Sequence, residues 1–331
     1  MKVLFVPPMS YPLHRGGFES QVLHIFSELA ALGLEIHWYE LSSCDISQYD
    51  IIHFHSSVTE FVPLALKARD LEKKIIITTM IGSPRYSNLS YKFRLLGSKL
   101  PGLFYVNKKI SQLYSLADKF VTLTPFENNR LKTVFNINKE ITVIPNGIDD
   151  EYFRNDDIEI NLPFENYLLI VGRIEPDKNQ LPLIEIANEM SLNLLIVGES
   201  GVGQTNYYNL CRKKSHQNIF YWGQETNPKI LRQLYRNAAL TVIPSVTEML
   251  PLVIFESLSQ RTPVLCTTHC GLYPKRIDGL YYSKPIKSDL CRNLRELWSK
   301  LPLQIIPTKG IYSWNDIAKQ HIELYKRTIS E

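Results

Sequence analysis

The chain has 331 residues, 44% hydrophobic and 21% charged, which is enough for two globular domains with buried cores. Lys plus Arg number 37 against 33 Asp plus Glu; the resulting +4 is too small to argue for nucleic-acid binding, yet it is compatible with an anionic small substrate or a lipid surface. The opening MKVLFVPPMS is too short an apolar run for a secretory signal, no run approaches the ~18 residues of a membrane span, and five cysteines in a chain this long fit a reduced, cytoplasmic setting.

KVLFV (2–6) reads as a buried strand, followed by a loop that ends in Gly16-Gly17. Phe18, Val22, Ile25, Leu29 and Leu32 then recur at helical spacing, and Gly33 stands where a helix stops. LEIHWY (34–39) and DIIHFH (50–55) are strands, a helix is expected over 58–71, and KIIITT (74–79) is a further strand. ADKFVTLT (117–124) holds a strand, PFENNRLKTVF (125–135) a helix and ITVIP (141–145) a strand. Asn146-Gly147 is a turn signal, and the polar stretch 149–163 looks like a linker. The alternation restarts with YLLIVG (167–172) and LNLLIVG (192–198), with strands suggested at 218–222, 240–244 and 262–266. Two successive α/β units with parallel sheets are expected, and a cleft between them is the default binding site.

Four stretches carry chemistry. LLIVGESGVGQT (194–205) differs by one residue, Gln204 for Lys, from a phosphate loop of the Walker type. Gln204 brings no charge to a terminal phosphate, and a tight strand-to-helix turn asks for glycine in any case. CTTHC (266–270) sets His269 beside Cys266 and Cys270, but no second Cys/His pair has zinc-like spacing, so Cys266 is read as the end of a buried strand. VGRIEPDKN (171–179) ends a strand, and Arg173 and Lys178 before the next helix suit a diphosphate; solvated surface cations are the competing reading. In SVTEMLPLVIFESLSQRTPV (245–264), Pro251 suits the first turn of a helix, Glu248 precedes it and Glu256 lies just over one turn inside. Both carboxylates would reach a ligand at that helix end and accept hydrogen bonds from hydroxyls; a helix cap and a solvated helix residue remain the plainer reading of the spacing.

Glu248 and Glu256, seven residues between them, resemble the paired-glutamate motif of the glycosyltransferase family 4 type, retaining enzymes of the GT-B fold. GGFES (16–20) is similar to that family's first-strand glycine loop, ADKFVTLTPFENNRL and ITVIPNGIDDEYF to the end of its first domain, and VGRIEPDKN to its Gly-Arg…Lys segment. YSWNDIAKQHIELYKR (312–327) resembles its terminal helix returning to the first domain. The similarity runs over most of the chain and is weakest at about 84–112.

The resemblance implies two Rossmann-like domains facing a cleft: 1–150 on the acceptor side, 151–310 for the nucleotide sugar, and 311–331 packing back on the first. It implies retaining transfer from a nucleotide-diphosphate sugar to a glycan or lipid-linked acceptor, with no metal and no cofactor. By position, Gly16 and Gly17 would admit the donor diphosphate, Arg173 and Lys178 would neutralise it as it leaves, and Glu248 would bind the sugar hydroxyls. Glu256 would bind the ribose, and the backbone at Leu250, Pro251 and Leu252 would complete the cradle. GESGVGQT then needs no lysine. The expected setting is cytoplasmic and peripheral to a membrane, with an anionic surface as a partner of the basic-aromatic segment 85–109; nucleic acid is not a partner. The chain departs from the pattern where Ile81 stands about where many relatives carry a His, at Cys270-Gly271 in place of Gly-Gly, and near Lys275 in place of an acid. His53 and His55 end another strand, without a place at the missing site. These departures keep a non-catalytic nucleotide-sugar-binding subunit as the alternative, and a GT-B epimerase as one the glutamates fit less well.

Overall fold

The structure is a computed structural model that describes residues 1–9, 16–40, 44–81, 87–97, 105–303, 305 and 310–331. The chain forms two compact units, Met1–Gly147 with Tyr312–Glu331, and Ile148–Ile311.

In the first unit, β1 (Lys2–Val6), β2 (Glu35–Trp38), β3 (Ile51–His55), β4 (Lys74–Thr78), β5 (Lys119–Thr122) and β6 (Ile141–Val143) form one parallel sheet in the order β2-β1-β3-β4-β5-β6. The helices α1 (Gly17–Ala31), α2 (Val62–Asp70), α3 (Asn88–Gly97), α4 (Tyr105–Leu116) and α5 (Pro125–Val134) connect them. Successive strand residues face opposite sides of a sheet. Ile52 and Phe54 of β3 therefore enter the core with Ala65 and Ala68 of α2 and Leu113 of α4, all buried. His53 and His55, one residue out of step, face the other side.

The second unit repeats the plan. Its strands are β7 (Leu168–Val171), β8 (Leu194–Val197), β9 (Ile219–Gly223), β10 (Leu240–Ile243), β11 (Val264–Thr267) and β12 (Leu280–Ser283), again parallel, in the order β12-β11-β10-β7-β8-β9. Its helices are α6 (Gln180–Glu189), α7 (Thr205–Lys214), α8 (Pro228–Asn237), α9 (Leu252–Ser259) and α10 (Lys287–Trp298). The chain starts this sheet at β7, builds outward through β8 and β9, and then returns to place β10 on the other side of β7. The loops after β7 and β10 thus flank the point where strand order reverses, where ligands of open α/β sheets bind.

The stretch 149–163, expected to be a linker, begins as part of the second unit. Asp149 caps a 3₁₀ turn over Asp150–Phe153, and Glu151 and Tyr152 are buried. Its acids are met by cations from α8: Arg232, fully buried, pairs with Glu151 at 3.0 Å and Asp156 at 2.9 Å, and Arg236 pairs with Asp157. An acidic run reads as solvated only while its partners, some 80 residues later in the chain, are unknown.

The last helix, α11 (Trp314–Ser330), opens with a reciprocal capping box between Ser313 and Asp316 and packs along α1. The ring of Trp314 stacks on His24 with centroids 5.2 Å apart, and Asn315 Nδ2 donates to Glu28 at 3.1 Å. A side chain on Gly147 would come within 2.7 Å of the Trp314 backbone nitrogen, which accounts for the glycine of the 146–147 turn. The same helix covers the second face of β3. His53 Nδ1 lies 2.7 Å from the Tyr325 hydroxyl and Nε2 2.8 Å from Thr78 Oγ1. His55 packs on Phe5 with ring centroids 3.7 Å apart, and neither of its ring nitrogens has a hydrogen-bond partner among the described residues. Burial, helped by the neighbouring histidines, holds His53 and His55 well below the ordinary imidazole range, and burial alone pushes His321 of α11 down to about 4. His53 and His55 are core residues of this unit.

Candidate functional site

β7 ends at Val171, and Gly172 turns the chain with φ +147°. The next six residues carry Arg173 and Lys178. Gln180, buried at the start of α6, fixes this turn from both sides: its Nε2 donates to the Arg173 carbonyl at 2.7 Å and its Oε1 accepts from the Glu175 N–H at 3.4 Å. Asn179 takes the left-handed conformation, φ 58°, which Asn tolerates better than most residues, and its Nδ2 donates to Pro244 O at 3.0 Å. A second tie is the Val246 N–H to Asp177 O bond of 2.8 Å. The loops after β7 and β10 are therefore one hydrogen-bonded piece.

Lys178 Nζ sits 2.6 Å from Glu248 Oε1, with both side chains partly buried. Arg173 is more exposed and meets Glu175 at 3.3 Å. Glu248 is also held through its backbone: its N–H donates to His269 O, and the Gly271 N–H donates to the carbonyls of Glu248 and Met249, each at 3.0 Å. His269 Nδ1 lies 2.8 Å from Val246 O. CTTHC thus clasps the Glu248 loop. Cys266 and Cys270 are buried within it, and among the described residues no group of three or more His, Cys, Asp or Glu side chains is arranged to hold a metal ion.

Pro251 is the N-cap of α9, one place before the first-turn position its ring suggested, and Leu252 begins the helix. The opening N–H groups of a helix lack an intrahelical acceptor and attract anions. Leu250, beside them, is buried. Glu256 lies four residues into α9, half-buried, and accepts the Tyr235 hydroxyl at 2.7 Å. Burial pushes its carboxyl up to about 7; the Tyr235 bond pulls it down and the charge of Asp149 pushes it further up.

Arg173, Lys178, Glu248, Leu250, Pro251, Leu252 and Glu256 all belong to the second unit; Gly16 and Gly17 belong to the first. Gly16 caps α1 with extended backbone, and a Cβ on Gly17 would meet nothing within 4 Å, so packing does not demand a glycine there. Ile81, in place of the expected His, is buried, and its N–H donates to Glu127 Oε1 at 3.2 Å.

The Walker-like stretch has a different physical purpose. A Cβ on Gly198 would stand 2.1 Å from the Gly172 carbonyl oxygen, and Gly198 itself has φ +141°, so the turns after β7 and β8 nest only because residue 198 is a glycine. Three of the loop N–H groups are engaged: Gly198 donates to Gly223 O at 2.8 Å, Gly201 to Ile174 O at 3.1 Å and Gln204 to Gly201 O at 2.9 Å. A phosphate cradle needs such groups unpaired.

Two family models cover most of the chain: the one described as Glycosyl transferases group 1 matches residues 154–277, and Glycosyltransferase Family 4 matches residues 44–152. The chain belongs to the family 4 type of glycosyltransferase. It is 25% identical over 328 residues to an uncharacterised glycosyltransferase of Methanocaldococcus jannaschii, covering 87% of this chain and 77% of that one. It is 31% identical over 186 residues to D-inositol 3-phosphate glycosyltransferase of Nocardia farcinica, covering 51% of this chain but only 41% of the relative. Alpha-galactosylglucosyldiacylglycerol synthase of Streptococcus pneumoniae is 21% identical over 246 residues, covering 70% and 63%. The crystal structure of Anabaena HepE in complex with UDP superposes with a TM-score of 0.75 at 14% identity, over 99% of this glycosyltransferase and 100% of that chain. The fold is accordingly GT-B.

The sequence pointed to the charged members of this candidate site and missed those that hold them. Asn179 and Gln180 directly follow the Lys178 signal and could have been noticed as a left-handed residue and a polar helix start. Tyr235 and Asp149, which set the surroundings of Glu256, lie 21 residues from it on α8 and far upstream, with no local pattern linking them.

Proposed function

We propose that this glycosyltransferase moves a sugar from a nucleotide-diphosphate donor to a hydroxyl of a glycan or lipid-linked acceptor, with retention at the anomeric carbon and without a metal. The observation that carries the reading is the Lys178–Glu248 pair at the strand-order reversal of the second unit, beside the start of α9. A cation and an acid in contact at a helix start suit a ligand that is itself anionic at one end and hydroxylated at the other. The diphosphate takes Lys178, Arg173 and the first N–H groups of α9, and the sugar hydroxyls take Glu248. As the glycosidic bond breaks, negative charge grows on the leaving phosphate, and fixed positive charge lowers that barrier without reorganisation. Glu256 accepts hydrogen bonds from the ribose. Gly16 and Gly17, at the start of α1, admit the diphosphate from the first unit.

Support for a nucleotide-sugar donor comes from the UDP in the complex of the structural neighbour HepE. Support for acceptor hydroxyls on an inositol phosphate or a glycolipid comes from the names of the two relatives above; a role in surface polysaccharide or glycolipid synthesis is part of the same proposal. Incubation of the pure protein with a panel of nucleotide sugars, scored by thermal shift and slow donor hydrolysis, tests the reading. One donor should stabilise the protein and be hydrolysed to the sugar of unchanged anomeric configuration; no response to any donor would overturn it.

Attachment at the inner face of a membrane belongs to the same proposal. Among the described residues no helix is long and apolar enough to cross a membrane. Leu89 and Phe93 of α3 and Val106 of α4 are exposed beside Lys92, Lys108 and Lys109. Tyr91 instead packs on Arg130. Residues 85, 86 and 98–104 of the segment lie outside the described residues. Binding to anionic liposomes that falls with salt is the expected result, and absence of binding at low salt would remove the membrane from the account.

A further inference from the structure

Tyr235 is fully buried on α8 and donates its hydroxyl to Glu256 Oε2 at 2.7 Å. No other side-chain hydrogen bond to Glu256 occurs among the described residues. The Tyr235 ring packs against Tyr152, centroids 6.1 Å apart, and its backbone carbonyl accepts from Thr262 Oγ1 at 2.6 Å, so the phenol has one fixed direction. We propose that Tyr235 is a positioning residue: it holds one oxygen of Glu256 and presents the other to the ribose hydroxyls of the donor. The inference rests on the assignment of Glu256 to the ribose.

The surroundings explain why a phenol is needed. Glu256 is half-buried and faces the charge of Asp149, and both effects favour its neutral form. A neutral carboxyl is a poorer acceptor for two hydroxyls than a carboxylate. The cations nearby are committed elsewhere. On α8, Arg232 pairs with Glu151 and Asp156, and Arg236 pairs with Asp157 and donates to Gln260 Oε1. In the 3₁₀ turn, Glu151 also meets Arg154, Tyr152 is a buried phenol and Asp150 brings a further acid; Cys266 is the titratable group of β11. Tyr235 is thus the donor that offsets the burial of Glu256. Burial also pushes its own ionisation well above the usual phenol value, so its proton stays in place over the working range.

The test is titration of nucleoside diphosphate binding from pH 5.5 to 8.5, using whichever of UDP, GDP, ADP and dTDP binds the wild type best. Wild-type affinity should rise through about pH 7 as Glu256 ionises. Loss of the Tyr235 hydrogen bond should raise that midpoint by about one unit, so Tyr235→Phe should bind about eightfold more weakly at pH 6.5 and less than about twofold more weakly at pH 8.5. Glu256→Gln should keep only the pH dependence of the ligand's own terminal phosphate, which titrates at about pH 6, and Glu256→Gln/Tyr235→Phe should bind no more weakly than Glu256→Gln alone. A Tyr235→Phe midpoint equal to that of the wild type, beside a Glu256→Gln profile reduced to that of the phosphate, overturns the positioning role and leaves the ribose assignment intact. A Glu256→Gln profile equal to that of the wild type overturns the ribose assignment itself. Should Tyr235→Phe fail to fold, the double variant decides: folding with the binding of Glu256→Gln supports the inference, and failure to fold makes Tyr235 a packing residue and overturns it.

Discussion

Replacing His321 with Leu should remove a defined part of the acid sensitivity of the first unit. His321 is buried, and its pKa is pushed down from 6.5 to about 4. Between those values the unfolded chain takes up a proton that the folded chain refuses. Stability from this site is therefore complete above about pH 6.5 and is lost as pH falls toward 4. Linkage with these two values gives a loss of roughly 2 kcal/mol between pH 7 and pH 5. His53 and His55 act in the same direction. Two carboxyls oppose them: burial raises Glu127 and Glu256 to about 7, so each stabilises the folded state at low pH and loses that contribution as pH rises from about 4.5 through 7. The wild-type pH profile mixes these signs, and only the difference between wild type and His321→Leu isolates the imidazole. The packing cost of Leu is the same at both pH values and cancels. Urea or thermal unfolding of both proteins at pH 7 and pH 5 supplies the difference. The gap should move by roughly 2 kcal/mol in favour of the variant at pH 5, or about 4–8 °C in Tm for a unit of this size. A gap that is equal at the two pH values would refute the claim that His321 is buried in its neutral form.

Gly198→Ala should destabilise the second unit by more than about 3 kcal/mol in unfolding measurements, because its Cβ would stand 2.1 Å from a backbone oxygen at a positive φ; a shift under about 1 kcal/mol would show that the turns do not nest as described. Gln204→Lys should not produce ATP hydrolysis, since the Gly198, Gly201 and Gln204 N–H groups already have backbone acceptors; measurable phosphate release would revive the phosphate-loop reading. Glu248→Gln should lower kcat, while Glu256→Gln should mainly raise the donor KM; steady-state kinetics showing the opposite pattern would exchange the two roles.

Much of the fold was legible because parallel strands buried on both faces leave short apolar runs, and KVLFV, KIIITT, YLLIVG and LNLLIVG are such runs. The candidate site was legible where chemistry demands a charge in the loop after a strand, at Arg173, Lys178 and Glu248, or near the start of the following helix, at Glu256. Relations that only the folded chain creates were not. The stretch holding Asp156 and Asp157 looked like a linker because its partners Arg232 and Arg236 come from α8. Gly198 was legible as the glycine of a tight turn, but sequence does not reveal that the Gly172 carbonyl lies against it. His53 and His55 had no assigned place in the sequence reading because strand alternation puts them on one face without saying that α11 covers that face.

The central claim is that the loops after β7 and β10 bind the diphosphate of a sugar donor. Calorimetric titration of wild type, Arg173→Ala and Lys178→Ala with the preferred nucleoside diphosphate tests it most directly. Loss of one charge-assisted phosphate contact is expected to cost roughly 2–3 kcal/mol, so each variant should bind about thirty-fold to more than a hundredfold more weakly while unfolding at nearly the wild-type temperature. Wild-type affinity in both variants would contradict the account.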